Sequence, residues 1–266
     1  MAKILADSLN GATGDRITTF LITIPKWLQA ELRTHRNTGQ SHYSSRAIPT
    51  NKLFKQVTDN PLIPLWREYQ KGMSGSDTLN DEEKEKIEKI WDSAAKAMIW
   101  HVKELIKLRV AKEQRNRLLE PFVVGDCIVS ANDYAWEHFF DLRCAEGVQP
   151  EFRNIALEMK KIYYCNKPER LKVGEWHIAF DEKELNLISD RLKVSAARCA
   201  RTSYLNHQGK IDYSKDFKLH DRLISDKHST PFEHQFKAMP ESNMYAQYKG
   251  FKSYRFHIEK NESIFD

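Results

Sequence analysis

Two short segments carry side chains able to do chemistry. Thr34-His35-Arg36 is followed closely by Ser44-Ser45-Arg46, a gathering of hydroxyls, an imidazole and two guanidiniums. Arg offers a planar fork to phosphate and carboxylate oxygens, so the segment suits an anion such as a phosphate ester. Far downstream stands His228-Ser229-Thr230-Pro231-Phe232-Glu233-His234, where imidazoles flank a hydroxyl and a carboxylate. A lone His is usually a packed structural residue, but two around Thr-Pro-Phe-Glu mark a site.

Those groups need elements to hold them. Ile17 to Ile24 mixes apolar and Thr residues as a strand does, and Pro25 stops the pattern while fitting the first turn of a helix. That helix is expected from about Pro25 to Thr34, with Trp27, Leu28 and Leu32 inward, delivering His35 and Arg36 at its end and Ser44-Ser45-Arg46 on the loop beyond. Asn37 and Gly39 suit the termination. Asn80-Asp-Glu-Glu reads as a cap, and Ile87, Ile90, Trp91, Ala94, Met98, Val102, Leu105 and Ile106 recur at helical spacing. The spacing predicts a long amphipathic helix whose stripe packs in the core, with Glu82 to Lys89 as its solvated face. Lys71 to Asp77 reads as a mobile loop. Asp133 to Arg143 is expected to be a second core helix, Glu184 to Tyr204 and Asp216 to Ser225 further helices, and Phe232 to Met239 a strand.

No Gly/Ser/Pro linker divides the 266 residues, so a single domain, 1–266, is expected. The longest apolar runs are too short to span a bilayer and no leader peptide is evident, which predicts a soluble, cytoplasmic protein without membrane contact. Cys127, Cys144, Cys165 and Cys199 form no Cys-x-x-Cys pair, which argues for reduced thiols over a zinc knuckle or disulfide framework. The net charge of +5 is modest and 30% of residues are charged, of both signs, so small anions are expected rather than nucleic acid. His220, Asp221, His228 and His234 are ligand types for zinc or manganese, but their spacing fits no metal motif, and no metal is expected.

The His228-to-His234 segment resembles the His-x-(Ser/Thr)-Pro-Phe-Glu-His signature of the flavin-dependent thymidylate synthases. Thr34 to Arg46 is similar to that family's Arg-His-Arg-then-Ser signature. The family carries these in the opposite order, so the chain resembles a circularly permuted member. Arg117-Leu-Leu-Glu-Pro121, Asn132, Phe139-Phe-Asp-Leu-Arg143 and Gln149-Pro-Glu-Phe-Arg153 resemble the family's C-terminal half, about 15–165 here. Ala196-Ala-Arg-Cys-Ala-Arg-Thr-Ser-Tyr204 resembles its N-terminal half, about 175–258, and Gly250 to Arg255 resembles the helix that leads into the His-Arg segment of an unpermuted relative.

The resemblance implies an α+β single domain with a mixed or antiparallel sheet flanked by long helices. It also implies reductive methylation of dUMP to dTMP, with 5,10-methylenetetrahydrofolate as one-carbon donor and NAD(P)H, NADPH for instance, as reductant through FAD. Arg143 is then the catalytic residue, holding the pyrimidine and offsetting negative charge on it. Glu31, Ser44, Ser45, Arg46, Arg117 and Arg143 bind nucleotide, and His35, Arg36, Asn132, His138, His228, Thr230 and Glu233 bind flavin. Shared sites imply a homotetramer. The chain departs from the pattern at Thr34 (an Arg in the family), Glu31 (a Gln), His42 (an acidic residue) and His138 (an Asn), changes that bear on pyrimidine recognition. A 5-hydroxymethyl product is the alternative outcome of the same chemistry.

Overall fold

The computed structural model describes residues 1–72, 75–202 and 212–264. Strands β1 (Ala2–Asn10) and β2 (Arg16–Pro25) form a hairpin, followed by a 3-10 turn at Lys26–Leu28 and the short α1 (Gln29–Leu32). Then come β3 (Gly39–His42), α2 (Thr50–Asp59), α3 (Asp81–Lys107), α4 (Lys112–Arg115), β4 (Val124–Asn132), α5 (Asp133–Arg143), α6 (Pro150–Cys165) and β5 (Glu169–Leu171). The remainder comprises β6 (Trp176–Ile178), α7 (Ile188–Ala200), α8 (Tyr213–Ser225), β7 (Gln235–Ala238), β8 (Met244–Tyr245), β9 (Tyr248–Lys249), β10 (Phe251–Ser253) and α9 (Tyr254–Lys260). The main sheet has the order β3-β4-β2-β1-β5, antiparallel except where β5 runs parallel to β1. A second sheet has the order β10-β7-β6. This is the expected α+β architecture with a mixed sheet.

The period-2 alternation of strands explains how the main sheet is covered on both faces. On β2 the even positions Phe20, Ile22 and Ile24 face α5 and α6, where Trp136, Phe139, Phe140 and Phe152 close a core. The odd positions Ile17 and Thr19 face the second sheet. β4 splits likewise: Cys127, Val129 and Ala131 join the aromatic core, while Ile128 and Ser130 face the other way. Arg16 stitches this layer by gripping Asp7 through Nε (2.9 Å) and Nη2 (2.6 Å), its guanidinium 3.8 Å from the Tyr163 ring.

Several elements differ from the sequence-based expectation. The helix expected from about Pro25 to Thr34 runs from Lys26 to Leu32 with Leu28 and Leu32 buried as expected, but its first turn is 3-10, and beyond Leu32 the Thr34 hydroxyl donates to Glu31 O (2.7 Å) where the chain turns away. α3 begins as expected, with a reciprocal Asn80–Glu83 capping box. Its apolar stripe is only partly in the core: Val102 is buried, but Ile90 is 71% exposed and Ile106 39%. The strand expected from Phe232 begins later because Pro231 opens a 3-10 turn over Thr230–Phe232. Gly250 to Ser253 is not helical but enters β10 against β7, and the helix starts at Tyr254 under the Ser253 cap. α7 starts at Ile188 rather than Glu184. The end of that expected helix, Ser203 and Tyr204, and Met73 and Ser74 of the expected mobile loop lie outside the described residues.

Candidate active site

The His-Arg segment and the Pro-Phe-Glu-His segment meet. β3 packs beside the 3-10 turn at Thr230–Phe232, and a cleft of about 860 Å³ opens between them. Arg33, His35 and Arg36 enter from the turn after α1, Ser41 and His42 from β3, and Arg46 from the following loop. Arg201 and Thr202 follow α7, Arg222 lies on α8, and His228, Thr230 and Glu233 complete the wall. The approach is close enough that a Cβ on Gly39 would collide with the Tyr248 hydroxyl and lie 2.8 Å from Glu233 O. Glycine is needed there for lack of a side chain.

The cleft is cationic. Glu233 is engaged by Arg255 (2.9 Å) and Arg201 by Asp216, whereas Arg33, Arg36, Arg46 and Arg222 form no ion pair among the described residues. Four uncommitted guanidiniums around one concavity concentrate anions and can fork onto phosphate oxygens.

Local hydrogen bonds set the His-Arg turn. Gln40 Nε2 donates to Leu32 O (3.0 Å), His35 O (3.2 Å) and Thr38 Oγ1 (2.6 Å), and its Oε1 faces His42 Nε2 at 2.7 Å. Burial pushes His42 down to about 3 and the Cys127 thiol, 3.2 Å from His42 Nδ1, up to about 12. A neutral imidazole beside a protonated, buried thiol makes no thiolate nucleophile. His35 is pushed down to about 4, first by burial and then by the Arg143 charge. It is therefore a neutral acceptor, and Arg143 Nε donates to its Nε2 at 2.8 Å. Arg143 Nη2 reaches Thr34 Oγ1 (3.3 Å) and Glu31 O (3.4 Å), while its Cζ lies 4.5 Å from the Phe152 ring.

Of the residues singled out in the sequence, His35, Arg36, Arg46, His228, Thr230 and Glu233 share the cleft. Arg143 meets it through His35, and Glu31 meets Arg143 through its backbone carbonyl. Ser45 is buried and donates to Glu120, which also pairs with Arg117 (2.7 Å), so these flank Arg46 from behind; Ser44 is half-buried beside them. His138 is exposed on α5. Asn132 stands apart: its amide donates to Arg16 O and Lys249 O (both 3.0 Å) and accepts from Lys249 N (2.8 Å). Sequence reasoning did not single out Arg33, Ser41 or Arg222. Arg222 lies in an ordinary amphipathic helix and reaches the site only by tertiary packing. Among the described residues no cluster of three or more His, Cys, Asp or Glu converges; His220 pairs with Asp221 (2.9 Å) and Tyr254 (3.1 Å) instead. No helix among them is long and apolar enough to cross a membrane.

Comparison with known proteins places the chain in a family. The family model described as thymidylate synthase complementing protein matches residues 16–169, more than half of the chain. The chain belongs to the flavin-dependent thymidylate synthase family. A flavin-dependent thymidylate synthase from Synechocystis sp. is 24% identical over 163 residues, covering 59% of this chain and 71% of its own. Among solved structures, the UMP/dUMP methylase PolB from Streptomyces cacaoi, bound with 5-Br UMP, aligns with a TM-score of 0.50 at 15% identity, over 62% of this chain and 88% of that one. The same methylase with 5-Br dUMP aligns over 56% and 66% at 18% identity, with a TM-score of 0.44. The first alignment shows a shared fold. As a family member the protein is an enzyme and its family's cofactor is a flavin. The family match ends at residue 169, so the segment that brings Thr230 and Glu233 to the cleft lies beyond it.

Proposed function

We propose that the protein converts dUMP to dTMP, using FAD, 5,10-methylenetetrahydrofolate and NAD(P)H. The observation that carries this reading is the meeting of His35, Arg36 and Arg46 with His228, Thr230 and Glu233 on one cationic cleft. The donor set fits a flavin dinucleotide: uncommitted guanidiniums suit its pyrophosphate, and the cleft lies in the range of about 300–1,000 Å³ common to small-molecule sites. His35, Arg36, His228, Thr230 and Glu233 would hold it, with Asn132 and His138 assigned to the same task by family resemblance. A bound flavin supplies the hydride that makes the methylation reductive.

The chain's own residues then bind and orient. Arg46, with Ser44 and Ser45, takes the nucleotide phosphate, and Arg117 supplies a second phosphate contact across a subunit boundary of a homotetramer. Arg143 faces the pyrimidine and offsets charge that develops on it, with neutral His35 fixing the guanidinium by accepting from Nε. Glu31 lies beside this pair and is assigned to the nucleotide. The meeting of the two signatures supports reading 1–266 as one permuted domain, with about 15–165 corresponding to the family's C-terminal half and about 175–258 to its N-terminal half.

The test is a single-turnover experiment on purified, flavin-loaded protein. After chemical reduction, dUMP and methylenetetrahydrofolate are added, and flavin reoxidation is followed with the product's mass. A methylated nucleotide is expected. A hydroxymethylated product would replace the reductive reading, and protein that binds no flavin would refute both.

A further inference from the structure

Beneath the cleft, six side chains form an unbroken run of hydrogen bonds. Ser41 Oγ lies 2.9 Å from His234 Nε2, His234 Nδ1 2.8 Å from Ser130 Oγ, and Ser130 Oγ 2.7 Å from Thr19 Oγ1. Thr19 Oγ1 continues to His177 Nε2 at 2.8 Å, and His177 Nδ1 ends the run at Ser8 Oγ, 2.9 Å away. The hydroxyls come one each from β3, β4, β2 and β1, while His177 lies on β6 and His234 just before β7, so the imidazoles clasp a row of hydroxyls from the opposite sheet. Every member is buried, and only Ser41 also lines the cleft.

Such a run has a direction. A neutral imidazole carries one N–H and one lone pair, and each hydroxyl has one hydrogen and two lone pairs, so six hydrogens serve five bonds and one is left over. It falls on Ser130 or Thr19 if that hydroxyl accepts from both sides, where it is buried without an acceptor among the described residues, as it would be on Ser8. It falls on Ser8 or Ser41 if the bonds all point the same way. If they point inward from Ser41, the last hydrogen belongs to Ser8, which has no further acceptor among the described residues. A buried hydroxyl hydrogen without an acceptor carries its full desolvation penalty. If they point outward, Ser8 donates to His177 Nδ1, His177 Nε2–H to Thr19, Thr19 to Ser130, Ser130 to His234 Nδ1, and His234 Nε2–H to Ser41. The only hydrogen then left over is that of Ser41, at the cleft wall. Burial pushes both imidazoles down to about 3, so each holds a single N–H at neutral pH, as the run requires.

We propose that Ser41 is a ligand-binding residue that acts as an obligate hydrogen-bond donor toward the cleft, with His234 and His177 as positioning residues that fix this polarity. The ligand atom it meets is an acceptor, a carbonyl or phosphate oxygen of the flavin or nucleotide; this part rests on the function proposed above. A polarity set three strands away makes Ser41 select for acceptors and against N–H or O–H groups at that point, a device for discrimination rather than for raw affinity.

Three measurements on the full-length protein test it. Long-range proton–nitrogen correlation spectra of nitrogen-15-histidine-labelled protein should show His177 and His234 both as Nε2–H tautomers at neutral pH; an Nδ1–H His234 overturns the proposal. Thr19→Val removes the central hydroxyl while keeping the side-chain shape, and should turn His234 into a tautomer mixture; an unchanged single tautomer overturns the coupling. Ser41→Ala should weaken binding of FAD or of dUMP by roughly three- to tenfold, with the His177 tautomer unchanged, and unaltered binding of both overturns the binding role. Wild-type protein that binds neither FAD nor dUMP would count against the proposed function, whereas the tautomers are read without either ligand.

Discussion

Arg143→Ala isolates one guanidinium whose partners are known. Nε is committed to His35 at 2.8 Å and Nη2 leans toward Thr34 Oγ1 at 3.3 Å, so Nη1 and the outer hydrogens remain for a pyrimidine. In stability, the variant loses a cation–π contact with Phe152 worth about 0.5–2 kcal/mol and a hydrogen bond worth about 1 kcal/mol. Both are small against a typical domain stability of about 5–15 kcal/mol, so the protein stays folded and keeps its flavin. In catalysis, removing one donor aimed at developing charge costs on the order of 10²- to 10³-fold in turnover, about 2.7–4 kcal/mol. Arg143→Lys should lose most of that too, because a single ammonium cannot bond His35 and the substrate as a planar fork does. The assay is turnover at saturating dUMP with flavin content measured on the same sample. Near-wild-type turnover in Arg143→Ala would show that the catalytic arginine has been misplaced.

Arg46→Ala should act on binding instead: a charge-assisted contact worth about 1.5–3 kcal/mol raises the dUMP dissociation constant roughly 10- to 150-fold, with little change at saturation, as calorimetric titration would reveal. Replacing Cys127, Cys144, Cys165 and Cys199 together by Ala or Ser should leave turnover within an order of magnitude in whatever fraction folds; a covalent Cys–nucleotide adduct in the mass spectrum contradicts that. Arg16→Met takes the counter-charge from the buried Asp7 carboxylate, which keeps only the Thr18 hydroxyl (2.8 Å) and the Asn166 amide (2.7 Å) as donors. Denaturant unfolding should show a loss of about 3 kcal/mol, only partly restored by adding Asp7→Leu because that leaves those two donors unpaired. Acid should destabilise the fold early. His177 and His234 are held neutral down to about 3, so between that pH and about 6.5 the unfolded chain binds protons that the folded chain refuses. Stability therefore falls as pH drops below 6.5, by about 2 kcal/mol between pH 6.5 and 5.5 for the two together, and urea unfolding at these two pH values would show no shift if these imidazoles charge in place.

Local pattern carried much of the fold. The capping box at Asn80 and the aromatic run from Asp133 to Arg143 are set by chemistry within a few residues, and both helices stand where their sequences place them. The turn that follows Leu32 was not legible, because Thr34, Thr38 and Gln40 side chains bond to the backbone carbonyls of Glu31, His35 and Leu32, contacts that helical periodicity does not reveal. In the site, the paired signatures pointed to the residues that meet, but Arg222 and Ser41 carry no local mark. Arg222 sits in an amphipathic helix like any other, and Ser41 gains its role from His234, which the fold brings to it from another sheet. The exposure of Ile90 was hidden for a related reason: helical periodicity says which residues share a face, not whether anything covers it.

The contact between Ser41 and His234 joins positions 193 residues apart. A growing chain can pair β2 with β1 and β4 long before the ribosome has made His228 to His234. The cleft has only one wall until then. Flavin affinity should therefore appear late and abruptly during synthesis, when the last quarter of the chain docks, because closing so long a loop gives no contacts until its far end arrives. With the flavin in the cleft as proposed, cofactor capture would double as a checkpoint on completeness: a prematurely terminated chain, however well its first sheet is paired, would remain colourless.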